Sequence, residues 1–338
     1  MTHRVLVIGT GFGAAVHMPA LAGIAGLPAP ILVSGRSNAW QEAIAAKACD
    51  VAIVAVPPIA QGRIAKVILS AGMPVLLEKP GALSAAELAQ LHGNSASLAI
   101  GYSFRFARGL MQMIELAVKG MIGDIRHVAV SWITSGWASP DRPWSWRCDR
   151  TSGGGVLRDF ACHSLDYLRL LLPQRFDRVT AQTRIITPKR CATDGSLHSV
   201  TAPEQVELLL ASSNATASLS IASCMPCGQG HSVAVHGSRG RLVWTHDAPF
   251  ALNTERLVLT RIGGVSQEIA LAPDEQTEPD ARISAARRQF AAFLKHGDTA
   301  AAPQVLTPAS LGDARAILDL IAAAERSADE RRTIPLPA

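Results

Sequence analysis

Apolar residues in the first hundred positions occur in short runs separated by stretches of helical composition. The runs Arg4–Ile8 and Val51–Val56 are rich in β-branched residues, as is typical of strands buried on both faces of a parallel sheet. The Ala-rich segment Ala39–Ala48 between them is predicted to be helical. Further predicted strands are 31–34, 74–77 and 98–102, and further predicted helices are 19–25, 59–70 and 84–91. This alternation predicts βαβ units and a parallel sheet.

The pattern changes beyond residue 106. Residues 106–119 and 153–172 are predicted helices, with a long strand at 125–134 between them. Short strand-like segments then follow at 178–186, 204–211, 215–222, 231–236, 240–245, 256–260 and 266–271. Turn signals such as Asp194-Gly195 separate them, which predicts a mostly antiparallel sheet.

Two helices, 281–295 and 308–327, complete the pattern, and Thr307-Pro308 is predicted to begin the second. The fold class is therefore α/β with two domains. The first, residues 1–104, contains the parallel sheet. The second, residues 105–338, contains an open, mostly antiparallel sheet.

Composition narrows the class of protein. The 338 residues are 48% hydrophobic and 17% charged, which excludes intrinsic disorder. The net charge of +5 comes from scattered residues rather than a basic stripe, so no nucleic-acid partner is expected. The longest apolar stretch, Val51–Ala60, is far short of the ~18 residues of a membrane span, and the N-terminus lacks a secretory pattern. We therefore expect a cytoplasmic protein with no membrane partner.

The six cysteines are scattered, which argues against a disulfide framework. Cys224 and Cys227 form a single CxxC pair, and a zinc site needs four ligands. We interpret them as loop cysteines and expect no metal.

The first predicted strand runs into the glycine pattern Gly9-x-Gly11-x-x-Ala14, which precedes a helix. Gly9 permits a tight turn, Gly11 lets the backbone approach a diphosphate, and Ala14 permits close helix packing. This context favours dinucleotide binding over a plain glycine turn. The predicted cofactor loop comprises Gly9, Thr10, Gly11, Phe12, Gly13 and Ala14.

The segment after the second predicted strand bears on the choice of cofactor. NAD binding prefers a carboxylate there, but residues 34–38 contain none. Arg36 is suited to pair with a 2′-phosphate, and Ser34 or Ser37 to donate hydrogen bonds to it. NADP is thus favoured over NAD. The alternative is that Arg36 is a solvated loop cation.

Two further stretches carry residues suited to catalysis. LLEKP at 76–80 ends a predicted strand, and GGGVLRDFACHSLD at 153–166 begins a predicted helix. Asp159 and His163 are four residues apart and share a helix face with Asp166. Lys79 and this pair can converge on one cleft, since ligands of open α/β sheets bind at the carboxyl ends of strands. The alternatives are a surface Asp/His pair and a lysine that caps a sheet edge.

These stretches, together with GTGFGAAVHMPAL (9–21), VAVPP (54–58), GYSFRF (101–106), WR (146–147) and HGSRGRL (236–242), resemble the Gfo/Idh/MocA family over nearly the whole chain. The resemblance implies a Rossmann domain, with NADP or NAD as cofactor, followed by an α/β domain. The open sheet of that second domain would cover the substrate or form a dimer face, and a homodimer or homotetramer is expected.

The resemblance also implies roles for residues. His163 would be the acid/base, Lys79 a donor to the same substrate oxygen, and Asp159 would orient the substrate or the histidine. Gln61 stands where the family usually has a histidine. The cofactor contacts implied are Val56, Pro57, Gln61, Glu78, Lys79, Trp146 and Arg147.

One segment is shorter than the family pattern. Residues 37–49, 13 in all, separate Arg36 from Asp50, where the family fits a helix, an edge strand and a further turn. A helix of about 11 residues spans ~16 Å, which leaves no room for another strand. We therefore predict that the Rossmann sheet lacks its usual third strand.

The leading functional prediction is an NADP-dependent oxidoreductase. It would transfer hydride between nicotinamide and a hydroxyl or keto carbon of a sugar, sugar derivative or cyclic polyol. The alternatives are a nicotinamide-dependent redox glycosidase and a non-catalytic dinucleotide-binding regulator of the same fold. The joint presence of Lys79, Asp159 and His163 favours an enzyme.

Overall fold

The computed structural model describes residues 3–91, 98–173, 176–247, 254–273, 278, 280–295 and 307–337. Its strands are β1 (Val5–Ile8), β2 (Ile31–Val33), β3 (Val51–Val54), β4 (Val75–Glu78), β5 (Leu98–Gly101), β6 (Ile125–Ile133), β7 (Arg178–Arg184), β8 (Lys189–Cys191), β9 (Leu197–Ser199), β10 (Gln205–Ala211), β11 (Thr216–Ala222), β12 (Gly230–Gly237), β13 (Gly240–His246), β14 (Glu255–Arg261), β15 (Gln267–Glu268) and β16 (Ile334–Pro335).

The α-helices are α1 (Met18–Ala22), α2 (Ala39–Ala45), α3 (Pro58–Ser70), α4 (Ala85–Leu88), α5 (Arg108–Val118), α6 (Cys162–Leu171), α7 (Ala281–Lys295) and α8 (Leu311–Glu330). Shorter helical turns are the π-helical Gly13–His17 and Leu157–Ala161 and the 3₁₀ turns Ser103–Phe106 and Trp146–Cys148. Within the described ranges, no helix has the length and apolar character needed to cross a membrane.

The chain divides into two compact units, Met1–Ala107 with Asp280–Leu318, and Arg108–Pro279 with Asp319–Ala338. This division differs from the predicted boundaries, which assigned all of 105–338 to the second domain. The physical reason lies in α7. Its Phe290 and Phe293 are buried in the apolar cluster that also contains Val5 and Val51, so this helix completes the core of the first unit.

The first unit contains a five-stranded sheet in the order β2-β1-β3-β4-β5, in which all neighbours pair in parallel. Every residue of β1 and β3 is buried, as their apolar composition predicts. The short helix α2 connects β2 directly to β3, so the prediction of a Rossmann sheet without its usual third strand is confirmed. Strand β2 therefore lies at the edge, where Ile31 and Leu32 are each 37% exposed.

The second unit contains a nine-stranded sheet in the order β15-β14-β13-β12-β6-β11-β10-β7-β16. Only β6 and β11 pair in parallel among the neighbours described, so the predicted mostly antiparallel sheet is confirmed. The hairpin β8–β9 was not predicted because its strands are short and polar. Its turn, however, lies at the predicted Asp194-Gly195 signal.

The start of α8 corrects the prediction that Thr307-Pro308 begins this helix. The helix begins at Leu311, because Ser310 provides the cap. Ser310 Oγ accepts from the Asp313 backbone N–H at 3.1 Å, and Asp313 Oδ2 accepts from the Ser310 backbone N–H at 3.0 Å. This reciprocal capping box satisfies the backbone N–H groups of Ser310 and Asp313 at the start of the helix.

Candidate active site

The glycine loop after β1 has the shape that a bound diphosphate requires. Gly9 is buried with φ +130°, and a Cβ there would lie 2.2 Å from the carbonyl oxygen of Ala55. A Cβ on Gly11, in contrast, would meet no atom within 4 Å, so the backbone of Gly11 faces open space. The turn needs glycine at the first position for its own geometry, and the second position leaves room for a ligand. The loop therefore fits a dinucleotide.

The Ser34–Ser37 turn follows β2. The Ser34 hydroxyl accepts from the Arg36 backbone N–H at 3.2 Å, and the Ser37 hydroxyl donates to the Ser34 carbonyl at 3.0 Å. The Arg36 side chain is exposed, and in the described ranges it forms no ion pair. Its guanidinium is thus available to an anionic ligand.

Gln61, predicted to contact the cofactor, is 1% exposed. Its Nε2 donates to the carbonyl of Val56 at 3.0 Å. The amide is directed into the unit, so its observed role is to fix the segment that contains Val56 and Pro57, both half-buried. The sequence predicted a cofactor contact for Gln61 and did not predict this hydrogen bond to Val56.

Glu78 and Lys79 lie at the carboxyl end of β4. The Glu78 carboxylate is 8% exposed and is held between two donors: His17 Nε2 lies 2.8 Å from Oε1, and the Lys79 backbone N–H lies 3.3 Å from Oε2. His17 is itself 1% exposed and packs edge-on against Phe12 of the glycine loop. The end of β4 is therefore tied to the helical turn that follows the glycine loop. Sequence reasoning gave His17 no role, because no local pattern pairs residues 61 positions apart.

Asp159 lies on the π-helical turn that leads into α6, in the second unit. Its Oδ2 is 3.0 Å from Arg147 Nε. The Arg147 guanidinium carbon in turn lies 4.5 Å from the centroid of the Trp146 ring. The structure thus brings together a predicted catalytic carboxylate and a predicted cofactor arginine, a contact that the sequence analysis did not anticipate. The ion pair and the ring fix the guanidinium from two sides.

His163 lies in the first turn of α6 and is 6% exposed. The Trp132 ring is 6.2 Å from the His163 ring and stacks on the His231 ring at 4.2 Å. The Nε2 atom of His231 also lies 3.1 Å from the hydroxyl oxygen of Tyr167 in α6. Burial, and after it the proximity of His246, lowers the pKa of His231 well below its ordinary value. Trp132 therefore separates a candidate acid/base from a histidine that is held neutral.

A small cavity opens beside Asp159. Its lining residues all belong to the second unit: Trp137, Arg147, Cys148, Gly155, Val156, Asp159, Phe160, Val200, Pro203, Glu204 and Ser223. The lining combines apolar residues with the charged residues Arg147, Asp159 and Glu204, a mixture typical of small-molecule sites.

The CxxC cysteines differ in their surroundings. Cys224 is buried and Cys227 exposed, and both are free thiols. Burial and the charge of Glu204 raise the pKa of Cys224 to about 11. Within the described ranges, no three His, Cys, Asp or Glu side chains form a metal-binding group.

Comparison with known proteins identifies the family. The model described as the oxidoreductase family with an NAD-binding Rossmann fold matches residues 3–96, and that of the GFO/IDH/MocA C-terminal domain matches 110–243. An uncharacterized oxidoreductase from Synechocystis sp. is 30% identical over 266 residues, which cover 72% of this chain and 71% of that relative. The chain belongs to the Gfo/Idh/MocA oxidoreductase family. It is thus an NAD(P)-dependent oxidoreductase, and the resemblance found in the sequence is confirmed.

Solved structures share the fold of this oxidoreductase along its full length. Levoglucosan dehydrogenase, in complex with NADH and L-sorbose, matches with a TM-score of 0.83 at 18% identity and covers 100% of both chains. An inositol dehydrogenase homolog from Azotobacter vinelandii, complexed with NAD⁺, matches with a TM-score of 0.80 at 16% identity, over 99% of this chain and 98% of that one. At these identities the likeness shows the fold.

Proposed function

We propose that this oxidoreductase transfers hydride between NADP and a hydroxyl or keto carbon of a sugar, sugar derivative or cyclic polyol. The substrate class is supported by the family and by the neighbours described as levoglucosan and inositol dehydrogenases. A homodimer or homotetramer is part of the same proposal.

The choice of NADP rests on the Ser34–Ser37 turn, which is the observation that carries the proposal. A ribose with a free 2′-hydroxyl is ordinarily held by a carboxylate at this position, and residues 34–38 contain none. The exposed guanidinium of Arg36 would form a charge-assisted pair with a 2′-phosphate. The two structural neighbours contain NADH or NAD⁺, so this preference would distinguish the chain from them.

The residues proposed to hold the cofactor are those of the glycine loop, with Ser34, Arg36, Ser37 and the segment at Val56–Pro57. When bound, the nicotinamide would accept or supply hydride at its C4 position. The open space at Gly11 is where the chain would approach the diphosphate.

Proton transfer is proposed for His163, because imidazole is the side-chain group that ordinarily exchanges a proton near neutral pH. During oxidation its imidazole would accept the proton of the substrate hydroxyl, and during reduction it would return it. Lys79 is proposed to donate a hydrogen bond to the substrate oxygen. Asp159, fixed by Arg147, is proposed to orient the substrate.

The test is a panel of sugars, cyclic polyols and sugar derivatives, incubated with NADP⁺ or NAD⁺ and followed by nicotinamide absorbance. Turnover that is faster with NADP⁺ and yields an oxidised product is expected. Release of a free sugar from a glycoside without net reduction of cofactor would instead indicate the redox glycosidase. Cofactor binding without turnover of any compound would favour the non-catalytic regulator.

A further inference from the structure

The loop 137–142 places an arginine flat against a tryptophan. The guanidinium carbon of Arg142 lies 3.9 Å from the centroid of the Trp137 ring. Its Nη1 donates to the carbonyl of Gly136, while Nε and Nη2 have no partner in the parts of the chain that the structure describes. No described carboxylate lies within ion-pair distance of this side chain. A stacked guanidinium of this kind has a fixed plane and a free edge.

The loop is held from its buried side by Arg190, whose side chain is fully buried. Arg190 donates to the carbonyls of Trp137 and Ser139, both at 2.7 Å. Its charge is matched by Glu204, whose Oε1 lies 3.0 Å away. Burying an ion pair is costly unless hydrogen bonds accompany it. Nη1 and Nη2 of Arg190 form such bonds with the loop, while its buried Nε has no hydrogen-bond partner in the described ranges. The hydrogen bonds from Arg190 thus fix the backbone of the loop that carries Arg142.

Arg142 differs from the two arginines near it in having no carboxylate partner. Asp159 is paired with Arg147 and Glu204 with Arg190, whereas Arg142 forms no ion pair within the described ranges, although Asp141 precedes it in the loop. Burial and the positive charges of Arg147 and Arg190 lower the pKa of Arg142, although an arginine stays protonated at neutral pH. Arg142 therefore offers a positive charge without an ion-pair partner in the described ranges, and Trp137, on which it stacks, is also a lining residue of the cavity.

We propose that Arg142, stacked on Trp137, binds an oxyanion beside the Asp159 cavity, so that the substrate carries a carboxylate or phosphate group in addition to its reacting carbon. The inference deepens the proposed function and rests on it for the remainder of the ligand. A guanidinium fork with two free edge donors matches the two oxygens of a carboxylate or phosphate. A neutral sugar would leave this charge without a partner.

The test is calorimetric titration of the full-length protein, without cofactor, with D-glucuronate, D-glucose 6-phosphate and D-glucose. We expect one of the two anionic sugars to bind at least tenfold more tightly than glucose, and the better of the two identifies the anion. Arg142→Gln should weaken that binding roughly tenfold or more, as expected for a lost charge-assisted pair, whereas Arg142→Lys should lose less. Arg178→Gln, which removes an exposed arginine from β7, is the matched control and should leave the affinity unchanged.

Equal affinity for glucose and both anionic sugars, or absence of binding by both anionic sugars, would overturn the proposal. So would an Arg142→Gln variant that loses affinity for NADPH but not for the anionic sugars, because the anion would then belong to the cofactor. Binding through Arg142 with no turnover of any sugar would contradict the proposed function and leave the anion site standing. Efficient turnover of neutral sugars that Arg142→Gln leaves unchanged would support the proposed function and overturn the anion site.

Discussion

Arg147 and Asp159 form an ion pair, with Arg147 Nε 3.0 Å from Asp159 Oδ2. The arginine is also stacked on Trp146, so one guanidinium contacts both a candidate catalytic carboxylate and an indole ring. The two residues are 12 positions apart and belong to different short helical turns. Their pairing means that Asp159 and Arg147 act as a unit.

Because they act as a unit, the effects of Arg147→Gln and Asp159→Asn on kcat/KM should not add. We expect a coupling energy of at least about 0.5 kcal/mol in a double-mutant cycle, measured with a substrate from the panel. Losses that add within experimental error would show that the pair contributes nothing to turnover.

Replacing the proposed acid/base should separate chemistry from cofactor binding. His163→Asn is expected to lower the rate of hydride transfer by about 10²–10⁴-fold, because the proton of the substrate hydroxyl then has no acceptor. Lys79→Met should also slow transfer, and in His163→Asn the dissociation constant for NADPH should change little. Lys119→Met, at an exposed position directly after α5, is the control for loss of a lysine. A wild-type rate in His163→Asn would remove that residue from the mechanism.

Two glycines of the same loop should respond in opposite ways. Gly11→Val fills open space and should leave the unfolding midpoint within about 2 °C of the wild type while abolishing dinucleotide binding. Gly9→Ala forces a Cβ against the Ala55 carbonyl at positive φ, which costs about 1–3 kcal/mol from the backbone alone and should lower the midpoint. Calorimetry and NADPH titration of both variants measure this. Retained binding in Gly11→Val would place the diphosphate elsewhere.

Acid should destabilise the protein through His231. Burial and His246 lower the pKa of His231 well below 6.5 in the folded state, whereas in the unfolded chain it titrates near 6.5. As the pH falls below that value, the unfolded state binds the extra proton and stability falls, by at most about 1.4 kcal/mol per pH unit.

The His231→Gln variant should therefore show a flatter dependence of the unfolding midpoint on pH between 7 and 5 than the wild type. His198→Asn, at an exposed position on β9, should keep the wild-type dependence. Identical slopes in the wild type and His231→Gln would show that His231 is protonated in the folded protein.

Much of the fold follows from local patterns in the sequence. The β-branched runs at β1 and β3 identified buried parallel strands, and the short segment 37–49 revealed the absent third strand because a crossover helix needs a fixed length. The placement of α7 could not be predicted in this way. Its apolar face would suit either sheet, and only long-range packing of Phe290 and Phe293 decides between them.

The candidate site shows the same limit. Motif spacing singled out the glycine loop, Lys79 and His163 as candidates, because each lies in a contiguous pattern. The partners that hold such residues, His17 for Glu78 and Arg147 for Asp159, are distant in sequence, and no periodicity links them. The hydrogen bonds from Arg190 to the carbonyls of Trp137 and Ser139 could not be predicted either, because any residue can supply a backbone carbonyl.

The most direct test of the account is titration of the purified protein with NADPH and NADH, followed by quenching of tryptophan fluorescence, in the wild type and in Arg36→Ala. We predict that the wild type binds NADPH more tightly, and that Arg36→Ala weakens NADPH roughly tenfold or more while NADH is little changed, because only NADPH loses a charge-assisted pair. Tighter binding of NADH by the wild type, or equal losses for both cofactors in the variant, would contradict the assignment of NADP.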